Sequence, residues 1–252
     1  MLLNAFRSLF SNSQNRKARR AYSRPQLLQL ESRIVPANRL VTSLADTQTG
    51  GTLREAITLC TSNVGNDTIV FSSHLFSSGA GTITLLTAQL PTIRGKNGTV
   101  TITGPGSSLL TISGNNGVAV QNFGIFDIDN GGVLTISGVT VSGANNIGNV
   151  LQQTGNGGAF NNRGFLTVSN STISGNSAGR NGGAFYNQGI LTVSNSTISG
   201  NFSTSGNGGG ISNSGGLTVT NSTISGNTAG TGGGIYNFSN RQLNIANTMY
   251  CQ

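Results

Sequence analysis

The sequence predicts an all-β chain, a right-handed single-stranded parallel β-helix with a short N-terminal capping helix, and three observations carry that prediction. Leu191 to Asn201 copies Leu166 to Asn176 residue for residue, and Leu217 to Asn227 repeats it with one change, Ser194 becoming Thr220. The successive starts at Leu166, Leu191, Leu217 and Leu243 lie 25, 26 and 26 residues apart, the kind of fixed period that marks a solenoid. Apolar residues recur at matched places in each period, and Gly, Asn, Ser and Thr fill the positions between them.

The coil is read from its apolar positions. Leu166, Val168 and Ile173 align with Leu191, Val193 and Ile198, then with Leu217, Val219 and Ile224, and finally with Leu243, Ile245 and Met249. A third apolar column is Phe160, Phe185, Ile211 and Ile235, each preceded by Gly-Ala or Gly-Gly. Three apolar faces per period describe a coil of three short strands, each pairing with its equivalents above and below at about 4.8 Å. The period is too long for the hexapeptide repeats of left-handed helices, which is the basis for expecting right-handed winding.

Asn residues recur as strictly as the apolar ones. Asn170, Asn195, Asn221 and Asn247 form one column, Asn176, Asn201 and Asn227 a second, and Asn162, Asn187, Asn213 and Asn237 a third. All three are expected to form amide ladders along the axis, at corners where Asn also tolerates a left-handed backbone. Asn-Ser-Thr at 170, 195 and 221 has the form of a glycosylation acceptor, but the ladder accounts for it.

Earlier in the chain the pattern is less regular. Thr68 to Phe71, Thr82 to Leu85, Thr99 to Ile102, Leu109 to Ile112, Ile125 to Ile128 and Leu134 to Ile136 are short, alternating and rich in β-branched residues, which predicts strands. Before them, Thr52 and Glu55 have capping-box spacing. Leu53, Ala56, Ile57 and Cys60 then form one apolar stripe, predicting a helix across the first coil. The domains are therefore 1–39, a basic and disordered export or sorting segment, 40–63, the cap, and 64–252, the coils. Residues 1–39 hold eight Arg and Lys against Glu31, a net +7, within a chain of formal charge +8. The basic residues Arg16, Lys17, Arg19, Arg20 and Arg24 lack a recognition fold around them, so an export role is preferred to nucleic-acid binding. No run is apolar enough to span a bilayer.

Chemistry is sparse. Only 8% of residues are charged, and after Asp129 there is no Asp, Glu or His, which removes acid/base catalysis from the best-formed coils. Asp127 and Asp129, two apart on a strand, point to the same side and are the one pair that could hold a cation or a sugar. They read first as solvated polar positions. His74, the single histidine, is expected in a loop with no triad partner. Cys60 and Cys251 lie at opposite ends of the stack, and Cys60 is expected to be a buried apolar filler. Gly206 to Gly210 and Gly232 to Gly234 have no accompanying Asp, as a calcium-binding repeat would need. Catalytic, cofactor-binding and metal-binding residues are accordingly none. Thr99-x-Thr101-x-Thr103 resembles a rung of a flat ice-binding array, but the matching columns that such an array needs are seen only as scattered examples.

Thr52 to Ile57, Asn66 to Phe71, Gln89-Leu-Pro91, Thr101 to Gly106 and Leu110 to Gly114 resemble, in order, the CSLREA-type family of surface proteins; Gly51 stands where that family often has Cys. Gly182-Gly-Ala-Phe-Tyr-Asn187 resembles the repeats of polymorphic outer membrane proteins. Leu30 to Ala37 resembles the export segment of planctomycete-type surface proteins. These resemblances imply a secreted or cell-surface, autotransporter-like or adhesin-like protein of pectate-lyase-like fold. Polysaccharide or cell-surface glycans are the expected partners, and an active or degenerate polysaccharide lyase or hydrolase is the alternative. The chain stops inside a repeat, which predicts a continuation or partner covering the last coil.

Overall fold

The computed structural model describes residues 36–62, 64–95, 98–114, 122–148, 155–238 and 240–251. The basic block and most of the export-type segment lie outside the described residues. The first strand, Asn38–Val41, begins before the expected boundary at residue 39 and pairs with Asp67–Phe71.

The fold is the parallel β-helix that the repeat predicts. Among the described residues, eight-, seven-, five- and three-stranded sheets run along the axis, with every pairing between successive coils parallel and in register. One well-formed coil passes from Phe160–Asn162 in the five-stranded sheet to Phe165–Ser169 in the eight-stranded sheet. It continues through Thr172–Ser174 in the seven-stranded sheet and Ser177–Ala178 in the three-stranded sheet. The coil thus has a fourth strand of two residues beyond the three that apolar spacing predicts. That strand is too short to show alternation, and its residues are mostly polar.

Inward side chains lie on their counterparts. Leu166, Leu191 and Leu217, Val168, Val193 and Val219, and Ile173, Ile198 and Ile224 are each at most 1% exposed. Phe126, Phe160 and Phe185 stack with centroids 5.0 and 4.9 Å apart and ring planes 7° from parallel. Aromatic pairs of this kind add about 0.5–1.5 kcal/mol beyond the area they bury. In the last coil the alignment shifts by one residue: Thr223 pairs with Met249 and Ile224 with Tyr250, so Tyr250, not Met249, occupies the isoleucine column. Leu243, Ile245, Met249 and Tyr250 are exposed there.

The repeated eleven residues are a description of two corners. Asn170, Asn195, Asn221 and Asn247 have φ of 49, 47, 50 and 48° and are exposed. They serve the left-handed turn rather than the expected amide ladder, a conformation Asn tolerates better than bulkier residues. The following Ser171, Ser196 and Ser222 are buried and supply the ladder at this corner. Ser171 N–H donates to Ser196 Oγ and Ser196 N–H to Ser222 Oγ, each at 3.2 Å. Gly175, Gly200 and Gly226 turn the next corner. Asn176 Nδ2 then donates to Asn201 Oδ1 at 3.0 Å, and Asn201 Nδ2 to Asn227 Oδ1 at 2.9 Å. Asn162, Asn187, Asn213 and Asn237 are joined likewise at 2.7, 2.6 and 2.6 Å. Buried amides paired this way avoid the cost of an unmade hydrogen bond.

The helix Leu53–Ser62 buries Leu53, Ala56, Ile57 and Cys60 as expected, and Arg54 as well. Glu55 N–H donates to Thr52 Oγ1 at 3.1 Å, half of the predicted capping box. The Glu55 carboxylate instead accepts from Gly51 N–H at 2.7 Å, one residue upstream of the standard partner. Gly51 has φ of 71°, and a Cβ there would collide with the Thr42 hydroxyl, so this turn has no room for the Cys of the resembling family. Arg54 Nε meets Asp46 at 2.6 Å, while Nη1 and Nη2 donate to Gln89 O and Ala88 O at 2.7 Å each. Two separated motifs of the sequence thus meet at one guanidinium.

Removing one partner of a buried, fully bonded ion pair costs about 3–5 kcal/mol, and truncating a buried Phe a similar ~3–5 kcal/mol. Arg54→Ala and Phe160→Ala should each destabilise the chain by about that much, read as a lowered midpoint in urea unfolding. Their effects should add, because one lies under the cap and the other in the mid-stack, and distant sites couple weakly.

Candidate functional site

Each three-residue strand of the five-stranded sheet sends its first and third side chains inward and its middle one outward. The middle column is Asp127, Asn161, Tyr186, Ser212 and Tyr236, of which Ser212 is fully buried. Side-chain chemistry therefore changes from coil to coil along this column.

Asp127 and Asp129 do lie on one side, as their spacing predicts, and Arg163 brings them together. Arg163 Nη2 is 3.2 Å from Asp127 Oδ1, and Nε is 3.4 Å from Asp129 Oδ1. Asp127 also accepts from Asn161 Nδ2 at 2.8 Å and Thr92 Oγ1 at 3.2 Å. Both of its oxygens are thus engaged. Arg163, at 42% side-chain exposure, and Asp129, at 47%, face solvent, where an ion pair contributes little stability. Among the described residues no three of His, Cys, Asp and Glu converge as a metal site would need.

Beside this cluster lies a groove of about 420 Å³ lined by Asn146, Gly155, Asn156, Asn161, Arg163, Tyr186 and Gln188. Asn146 Nδ2 is held by Asn156 O and Gly157 O at 2.9 and 3.1 Å, and Asn181 Nδ2 donates to Asn156 Oδ1 at 3.0 Å. Among the described residues Asn161 Oδ1 is buried without a protein donor, so it is enclosed within the wall rather than presented to the groove. Tyr186 contributes an aromatic ring and a phenol. Sequence reasoning missed Asn161, Arg163 and Tyr186. The first and third are legible once Phe126, Phe160 and Phe185 are aligned, since each follows its Phe.

The remaining chemical groups are accounted for locally. His74 is exposed in a single turn of 3-10 helix, Ser73–Phe76, rather than in a loop. Cys60 is buried beneath the helix; burial first, then the neighbouring Asp67 carboxylate, push its thiol up to about 12 against the opposing effect of Arg39. The thiolate is the nucleophilic form, so Cys60 is inert at neutral pH. Cys251 is exposed. No helix among the described residues is long and apolar enough to cross a membrane.

Comparison of the chain with protein-family models and with curated proteins found no match.

Iodoacetamide at pH 8 should alkylate Cys251 alone in the native protein and both cysteines after denaturation, as counted by peptide mass spectrometry. The folded-state value of Cys60 lies above the ordinary thiol value of 9.0. Its contribution is therefore constant below pH 9 and is lost as pH rises toward about 12, because the unfolded chain releases the proton first. Cys60→Ala should remove that part of the alkaline loss of stability in urea titrations across this range.

Proposed function

We propose that this protein is a non-catalytic, exported surface β-helix that contacts glycans through the groove beside Tyr186. The observation that carries the reading is the joint presence of an aromatic ring and several amide side chains in one concave site. Sugars offer alternating apolar faces and hydroxyls, which a ring and planar amides can match together. The resemblance to CSLREA-type and polymorphic outer membrane proteins supports the exported, surface-exposed location. Asp127 and Asp129 against Arg163 leave a net negative cluster, which favours neutral sugars over uronates.

The second reading, a polysaccharide lyase or glycoside hydrolase, draws on the same carboxylates and Arg163. A hydrolase needs one carboxyl group as acid and another as base or nucleophile, yet Asp127 is occupied by Arg163, Asn161 and Thr92. That engagement supports binding over turnover.

A glycan array probed with the full chain should give neutral oligosaccharide ligands, and Tyr186→Ala should weaken binding roughly tenfold or more, as truncating an aromatic anchor does. Mass spectrometry of the bound glycans should show them intact. Cleavage products that vanish in Asp127→Asn would replace the binding reading with the enzymatic one.

A further inference from the structure

The outer face of the eight-stranded sheet carries a second, independent array. Thr68, Thr101, Thr135, Thr167, Thr192 and Thr218 pair in unbroken succession, coil upon coil. A parallel hydroxyl column, Thr103, Ser137, Ser169, Ser194 and Thr220, runs two residues away along the strands. Thr-x-Thr pairs are indeed scattered, as the sequence suggests, since most coils place Ser beside the Thr; the continuous feature is the single Thr column, which the sequence does not display. The first Thr residues are 33, 34 and 32 apart and the later ones 25 and 26, so loop length conceals what the register aligns.

Three further properties accompany the columns. No charged side chain stands among the outward positions of these strands, from Asn38 to Ala246. A third column, Thr99, Val133, Phe165, Ile190 and Gly216, places exposed apolar groups beside the hydroxyls, with Phe165 and Ile190 49% and 52% exposed. Among the described residues none of the six hydroxyls of the Thr column has a protein partner, and all six residues are half-buried, packed shoulder to shoulder.

From this we infer that the face binds crystalline ice. Hydroxyls repeat at about 4.8 Å along the axis and about 6.6 Å along the strands, a two-dimensional net set by backbone pairing. Each hydroxyl can both donate and accept, as a lattice water does, and β-branched Thr holds its hydroxyl and methyl with little rotameric freedom. The methyls and the apolar column border ordered water without competing for its hydrogen bonds. A charge would instead orient and disrupt the water layer. Single contacts with water are weak, but many sites anchored on one rigid frame act together. A soluble glycan calls for varied, directional side chains, which the Tyr186 groove has, whereas on this face Asn38 and Asn244 stand only at the two ends of the Thr column.

The test uses the full chain, with ice recrystallisation and thermal hysteresis as readouts and an inert protein at equal concentration as control. Wild type should inhibit recrystallisation and show hysteresis. Thr167→Lys with Thr192→Lys should reduce both at least tenfold while the circular dichroism spectrum stays unchanged and the unfolding midpoint falls only slightly, as two like charges on directly paired positions require. Thr167→Val with Thr192→Val, which keeps shape and removes only the hydroxyls, serves as the second variant and should also lose activity. Thr172→Lys with Thr197→Lys, on the neighbouring seven-stranded sheet, should retain it. Wild type behaving like the inert control overturns the inference, as does full activity in the Thr167 and Thr192 variants. Retention on crystalline cellulose or chitin through this face without ice activity overturns it too.

Discussion

The structure depends on register. Once Leu191 lies on Leu166 and Leu217 on Leu191, every other side chain in the coil is committed. A slip of one residue would turn the whole apolar set outward. Identical neighbours make the commitment cooperative, because the contacts that fill the core are the same contacts in each layer. Parallel pairing alone does not specify register in a Thr- and Ser-rich strand. The inward aliphatics and the buried Asn and Ser ladders do, since a misaligned amide would be left unpaired in a dry interior.

The division of labour at the corners follows from that constraint. A chain that turns sharply between short strands must bury some backbone groups without a strand partner. At one corner an exposed Asn takes the left-handed backbone and the next Ser closes the hydrogen bonds; at the other, Gly turns and Asn closes them. Asn therefore plays two unrelated parts in one repeat. Sequence spacing reports the recurrence of Asn but not which part each column plays, because both parts favour the same residue.

Much of the fold was legible for this reason: the periodic residues are the ones that make it. The cap was legible through Thr52, Glu55 and the apolar stripe, whereas the Arg54 contacts to Asp46 and to the Ala88 and Gln89 carbonyls were not, since they join distant segments. The candidate groove was legible only in part. Asp127 and Asp129 could be placed on one side by alternation, but Arg163 enters from the connection to the next sheet, and no local pattern announces it. The final coil misled in the opposite way, since Met249 matched the apolar column by type while the backbone assigned that place to Tyr250.

Periodicity also divides the outer surface into two kinds of chemistry. Where the repeat is strict, one residue type is copied into a column, and the surface can complement only something that is itself periodic. Where the repeat breaks, as at Asp127, Asn161 and Tyr186, adjacent coils present different groups within a few ångströms, and a discrete ligand can be recognised. The same backbone pairing generates both, because outward positions ride on a register already fixed by the interior and cost the core nothing when they vary. Uniformity of the Thr column is thus not required for folding beyond the β preference of each residue. Its persistence, while a column of the five-stranded sheet changes from Asp to Asn to Tyr to Ser, is therefore a property of the surface and not a demand of the core.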